Sequence, residues 1–265
     1  MTQVEQMVGQ QDRGGLPRMQ SVKTGELLGE VLVYGKGNWR SVLKLATIPF
    51  LLSLGLAIGP QALSSDISIL EMLAPILSYV PMAVFAVALH RRYLLDRKTA
   101  IAFGYREVRF IGYVFLVTVL PMAAIFAPMF VLATTDQMGL SLLWIIPALI
   151  VVYICLRLIL MFPIAAVDYP GRVIDHLGVS WSAMNYGIGA MFGAAIIVSV
   201  VLGIFFASIG FAVTTSMQGD GMQSFKFIFF GLAGVFEQYV YQTFFVIMAS
   251  FTFRKLVLSP AKQET

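Results

Sequence analysis

A chain of 265 residues that is 58% hydrophobic and only 12% charged is too apolar for an ordinary soluble globule, and its composition points to a bilayer. The net charge of +4 would raise nucleic acid as a partner, but the basic residues fall in short blocks between apolar runs, as membrane flanks do. The single cysteine, Cys155, lies inside an apolar run and excludes an intrachain disulfide.

In chain order, “MTQVEQMVGQQDRGGLPRMQ” contains no signal-peptide core and has no Gly at position 2 for myristoylation, so residues 1–24 are expected to form a flexible cytoplasmic tail. The membrane domain is expected over 25–258, with 259–265 as a second cytoplasmic tail. Crossing a hydrocarbon core of ~30 Å takes ~20 helical residues. Apolar stretches of that order occur at about 42–59, 69–90, 110–133, 141–163, 187–213 and 227–252. The expected fold class is therefore all-α: a polytopic membrane helix bundle of six transmembrane helices with short cytoplasmic interfacial helices.

With the N-terminus cytoplasmic, every lysine and arginine except Lys226 falls at the inner side, which places both termini in the cytoplasm by the positive-inside rule. The outer connections are short and carry Asp66, Asp136 and Asp220. Trp39 and Trp181 fall near the inner boundary and Trp144 near the outer one. The prolines Pro49, Pro75, Pro81, Pro121, Pro128 and Pro147 predict kinked spans.

Each pair of spans is preceded by a segment of similar character: “GELLGEVLVYGKGNWR” at 25–40, “RKTAIAFGYREVR” at 97–109 and “PGRVIDHLGVSWSAMNY” at 170–186. Each reads as a short interfacial helix, and in the third Val173, Ile174, Leu177, Trp181 and Met184 keep helical spacing. Pro170 suits a first helical position with Asp168 just ahead of it. The threefold pattern predicts a parallel rather than inverted repeat.

Two stretches, “VPMAVFAVALHRRYLLDRKTAIAFGYREVRFIGY” at 80–113 and “RLILMFPIAAVDYPGRVIDHLGVSWSAMNYGIGAMFG” at 157–193, carry an Arg-Leu late in span four, a Pro-x-Ala-Ala exit and a Ser-Trp before span five. Over roughly 25–258 this pattern resembles the six-span membrane-domain family of glycerophosphoryl diester phosphodiesterases and its uncharacterised bacterial relatives. The resemblance implies the architecture and a bacterial inner-membrane location. It does not imply phosphodiesterase activity, whose chemistry in that family belongs to a separate soluble barrel. The family's usual basic residue after Ser-Trp is absent, since Ser180-Trp181 runs into “SAMNYG”.

No catalytic constellation, metal site or cofactor motif is read. His90 and His176 lack the spacing of metal ligands, and Asp168, Asp175 and His176 read as a solvated loop. In span five, Gly189, Gly193, Ser199, Gly203, Ala207 and Gly210 form a stripe of small residues, expected to pack on span six at Gly231 and Gly234. Span six is expected near the bundle centre. Its stretch “FEQYVYQ” puts Glu237, Gln238, Tyr241 and Gln242 on one face, and these with Arg157 of span four are the candidate binding residues. At that depth Glu237 should be protonated within a hydrogen-bond network, paired with Arg157, or open to a hydrated cavity. The expected role is non-enzymatic: a lipid-associated membrane protein or an assembly subunit. The alternative is a small transporter or channel using Glu237 as a proton or cation site, with a phospholipid-linked enzyme third. The implied partners are the phospholipid bilayer and another membrane protein or a second copy of the chain, with no nucleic acid.

Overall fold

The computed structural model describes residues 21–63, 74, 77–96, 103–119, 145–216 and 223–258. Among these the chain is all-helical. The order is α1 (Thr24–Leu63), α2 (Tyr79–Leu95), α3 (Tyr105–Val114) with a π-helical turn (Phe115–Val119), α4 (Ile145–Leu158) and α5 (Met161–Ala166). Then come α6 (Val173–Ala183) with a 3-10 turn (Met184–Tyr186), α7 (Ile188–Ser216), and α8 (Gln223–Phe253) with a second π-helical turn (Arg254–Leu258).

Three stretches are long and apolar enough to cross a membrane: Thr24–Gly59, Pro147–Ala166 and Ile188–Ser216. The 31 residues of α8 are also long enough by helical rise, but Glu237, Gln238 and Gln242 dilute its hydropathy. Residues 69–73 of the second expected span, 120–133 of the third and 141–144 of the fourth lie outside the described residues. So do residues 1–20 and 259–265 of the tails, together with Asp66, Pro75, Pro121, Pro128, Asp136, Trp144 and Asp220.

Where helices begin and end differs from the sequence reading for identifiable reasons. The first interfacial segment and first span are one helix of 40 residues, because no proline stands between them and the helix runs on through Gly35 and Gly37. The third segment starts at Val173 rather than Pro170. Asp168 and Gly171 take positive φ values of 53° and 126°, and the Asp175 carboxylate accepts the Arg172 backbone N–H at 2.8 Å, which fixes the cap there. Glu107 does the same for Gly104 N–H, also at 2.8 Å, so α3 runs from that cap straight into the expected third span. The fourth span breaks between α4 and α5. Pro163 has no N–H for the Ile159 carbonyl, which takes the Phe162 N–H at 3.3 Å instead.

The most fully enclosed helix is α2, and α8, buried over residues 246–253, packs beside it against α1, α5 and α7. Residues 81–90 are buried on every side, with Ala83, Ala86 and Ala88 letting neighbours approach from all directions. Around it pack α1, α3, α5 and α8, and the most extensive helix pair is α1 with α8. Polar side chains clip these helices together. Ser53 Oγ lies 3.0 Å from Tyr239 Oη, joining α1 to α8, and His90 Nδ1 lies 2.7 Å from Ser250 Oγ, joining α2 to α8.

The segment ends that carry charge meet at one end of the bundle. The Tyr93 hydroxyl donates to Glu30 Oε1 at 2.6 Å, Arg254 Nη2 reaches the same oxygen at 3.3 Å, and Lys255 Nζ pairs with Glu26 at 2.6 Å. Arg106 pairs with Asp168, and Tyr169 packs edge-on against Phe253. The start of α1 and the close of α8 therefore lie together, beside the end of α2 and the loop after α5. Outward, the long helices expose apolar side chains, including Val33 at 71%, Ile204 at 65% and Phe211 at 72%.

The small-residue stripe of α7 does not form one seam against α8. Gly193 faces Thr24 of α1, Gly203 and Gly210 meet only the Tyr241 hydroxyl and the Phe230 ring at ordinary contact distance, Gly189 faces open space and Ala207 is exposed. The tight approach is between α8 and α1. A Cβ on Gly231 would stand 3.1 Å from Ile58 Cγ1, while one on Gly234 would meet nothing. Gly231→Leu should thus cost ~1–3 kcal/mol through overpacking, whereas Gly234→Ala should gain from helix propensity by ~0.5–1 kcal/mol. Melting of both variants in detergent checks this; equal shifts would contradict the α1–α8 contact.

Candidate functional site

On α8, Gln238, Tyr241, Gln242, Phe245 and Ala249 recur at helical spacing and share one face. That face fronts a cavity of about 760 Å³ between α2, α3, α4, α7 and α8, walled elsewhere by apolar side chains such as Met82, Phe110, Val117, Val151, Ile159 and Phe192. Its polar edges are largely engaged within the protein. The Tyr241 hydroxyl donates to the Ser199 carbonyl at 3.2 Å, and the Cys155 thiol donates at 3.0 Å to the Val117 carbonyl in the π-helical turn after α3. His90, also in the wall, is held by Ser250. The amides of Gln238 and Gln242 have no hydrogen bond among the described residues, so they are the groups left to address an occupant. Phe192, Ile196 and Val200 in the wall are 42%, 47% and 53% exposed, so the cavity opens along α7 to the outside of the bundle. A space of this size, mostly apolar with a few polar groups, suits an elongated amphiphile.

Glu237 does not line this cavity. It is partly exposed on α8 and forms no ion pair or hydrogen bond among the described residues; Tyr241, expected to join it in a network, bonds to Ser199 instead. Pairing of Glu237 with Arg157 does not occur either. Arg157 donates through Nε and Nη2 to the Tyr153 hydroxyl at 2.9 and 2.6 Å, and through Nη1 to the Trp181 carbonyl at 3.0 Å and to Asn185 Oδ1. Its guanidinium lies over the rings of Tyr153 and Trp181, 5.1 and 5.2 Å from their centroids. Tyr153 is one turn before Arg157 on the same face, and the Ser180 hydroxyl fixes α6 alongside by donating to the Arg157 carbonyl at 2.8 Å. These local partners, close in position and correctly oriented, outcompete a distant carboxylate.

Asp168 and Asp175 are exposed, as a solvated loop predicts, but His176 is not. His176 is 1% exposed, because Arg109 of the second basic segment reaches across to it. Arg109 Nη2 donates to His176 Nδ1 at 2.9 Å and the Tyr113 hydroxyl lies 2.8 Å from the same nitrogen. Arginine can only donate, so the shorter of its two contacts makes Nδ1 an acceptor and puts the proton of the neutral ring on Nε2, which Arg109 Nη2 approaches no closer than 3.4 Å. Meanwhile Asp168 is paired to Arg106 and Asp175 caps α6. The sequence reading missed this junction, as it missed Tyr153, Asn185, Glu26 and Glu30; the signal available was the separation of opposite charges between the repeated basic segments.

Comparison with protein-family models, curated proteins and solved structures finds no match for this chain. The resemblance of residues 80–113 and 157–193 to a known membrane-domain family thus stands on those residues alone.

Burial, and after it the Arg109 guanidinium, lowers the His176 pKa from its ordinary value near 6.5. The unfolded chain therefore takes up this proton first as the pH falls. The stability contribution is complete above about pH 6.5 and is lost progressively as the pH drops below it towards the lowered folded value. His176→Asn, which keeps an acceptor near the Nδ1 position but does not titrate, should flatten the fall in melting temperature between about pH 7 and 5 relative to the unsubstituted protein. Parallel curves for the two proteins would contradict a neutral His176 at this junction.

Proposed function

We propose that this chain is a multi-pass protein of the bacterial inner membrane, without catalytic activity, that binds a lipid or lipid-like amphiphile within its helix bundle. The observation that carries the reading is the 760 Å³ cavity, apolar over most of its wall, open along α7, and bearing the two unengaged amides of Gln238 and Gln242. The exposed apolar faces of α1 and α7 support lipid contact around it, since soluble monomers rarely leave patches of that extent uncovered. Six spans with both termini in the cytoplasm remain the arrangement favoured by the basic flanks, and the ion pairs joining the start of α1 to the close of α8 are consistent with an even number of crossings. Native mass spectrometry after gentle detergent extraction tests the binding. The protein should retain a lipid-sized adduct, and Ala195→Trp, which projects a large ring into the cavity, should remove it while the fold persists. An adduct of unchanged occupancy in Ala195→Trp would overturn the cavity as its seat.

A second reading, a small transporter or channel, rests on Glu237, which is partly exposed and without an ion pair among the described residues. It requires proton or cation uptake into proteoliposomes that disappears in Glu237→Gln; uptake equal in the two proteins, or none in either, would remove it.

A further inference from the structure

Arg157 is a permanent cation with no carboxylate partner among the described residues, unlike Arg106, Arg254 and Lys255, which pair with Asp168, Glu30 and Glu26. Its acceptors are all neutral: a hydroxyl, a backbone carbonyl and an amide oxygen. Guanidinium carries five N–H donors, and the bonds to Tyr153, Trp181 and Asn185 use four, leaving one on Nη2. Because the Tyr153 oxygen accepts from Arg157, its own O–H is free to donate. Because Asn185 turns Oδ1 to Nη1, its Nδ2 hydrogens are free as well. Three side chains thus offer donors around one uncompensated positive charge, and both Tyr153 and Asn185 are exposed.

Such a set suits an anion with several acceptor oxygens, above all a phosphate, which accepts from charged and neutral donors together. Its position says where the phosphate comes from. Arg157 lies on a stretch apolar enough to cross a membrane, Pro147–Ala166, beside Trp181 and Tyr186, which are 44% and 47% exposed. Exposed rings of this kind settle at the level of lipid headgroups, where phospholipid phosphates are concentrated. We propose that Arg157, Tyr153 and Asn185 form a phosphate-binding site on the outer face of α4 that holds the headgroup of a membrane phospholipid. The proposal rests on the membrane reading above but not on the cavity, whose α4 residues Val151, Val152 and Cys155 lie on the opposite side of that helix, with Leu156 between the two faces.

The test is thermal melting of the full chain in detergent, titrated separately with phosphatidylglycerol, with diacylglycerol of the same chains, and with inorganic phosphate against chloride of equal ionic strength. Phosphatidylglycerol should raise the melting temperature saturably, and diacylglycerol should not, since binding to the folded state alone stabilises it. An equal, saturable response to inorganic phosphate supports a phosphate site but assigns it to the free anion. Arg157→Gln should abolish the response and Arg157→Lys should weaken it, because lysine keeps the charge but loses the fork. Asn185→Asp guards against variants that merely fail to fold. It places a carboxylate on Arg157, so it should melt at or above the unsubstituted protein without lipid, yet no longer respond to phosphatidylglycerol. A full response in Arg157→Gln or Asn185→Asp, or an equal response to diacylglycerol, overturns the proposal. Recovery of the chain in the soluble fraction without detergent would overturn the membrane reading itself, a failure visible before any titration.

Discussion

The Glu30 carboxylate, sharing one oxygen between the Tyr93 hydroxyl and Arg254, is the junction on which the arrangement of helices depends. It joins the first, second and last helices at one end of the bundle, and Arg254 lies 4.8 Å above the Tyr93 ring as it does so. Two opposite charges and a phenol meet where each is only partly exposed, so their attraction is less screened than at an open surface. Lys255 with Glu26 and Arg106 with Asp168 repeat the device around the same end. Once the helix ends are held there, the long helices are set side by side, α2 is enclosed, and space is left beyond it between α4, α7 and α8.

Much of this was legible from the apolar runs. The helical character of every described run follows from their length and lack of strand periodicity, and charged residues of the first, second and last helices and of the loop after α5 meet at one end. The boundaries were less legible, because they turn on single hydrogen bonds. Asp175 and Glu107 each take a backbone N–H three residues earlier, and Pro163 withholds one, shifting or breaking a helix that hydrophobicity alone would run through. The enclosure of α2 was less legible for a related reason: its alanines let neighbours cover it on every side, a packing property that its hydrophobicity alone does not reveal.

The candidate residues divide in a similar way. Gln238, Tyr241 and Gln242 were found by spacing on one helix, and the structure brings them together along one cavity wall. Pairing of Glu237 with Arg157 was one of three alternatives for a carboxylate at that depth, yet each lies in a different setting. Arg157 is satisfied by a phenol one turn away and by α6, whose approach depends on Ser180, and no one-dimensional reading supplies that third partner. Likewise His176 reads as a loop residue until the second and third basic segments are docked against each other, when Arg109 and Tyr113 close over it.

Binding of an amphiphile inside the bundle and conduction past Glu237 make opposite demands on water. An acyl chain between α4, α7 and α8 needs a dry wall with Gln238 and Gln242 meeting its polar end, whereas a conducting path needs continuous hydration along the Glu237 face. A structure of the chain in phospholipid nanodiscs separates them directly. Elongated lipid density within the cavity, beginning beside the two glutamines, is the predicted result; an empty or water-filled cavity continuous with Glu237 would contradict lipid binding as the function.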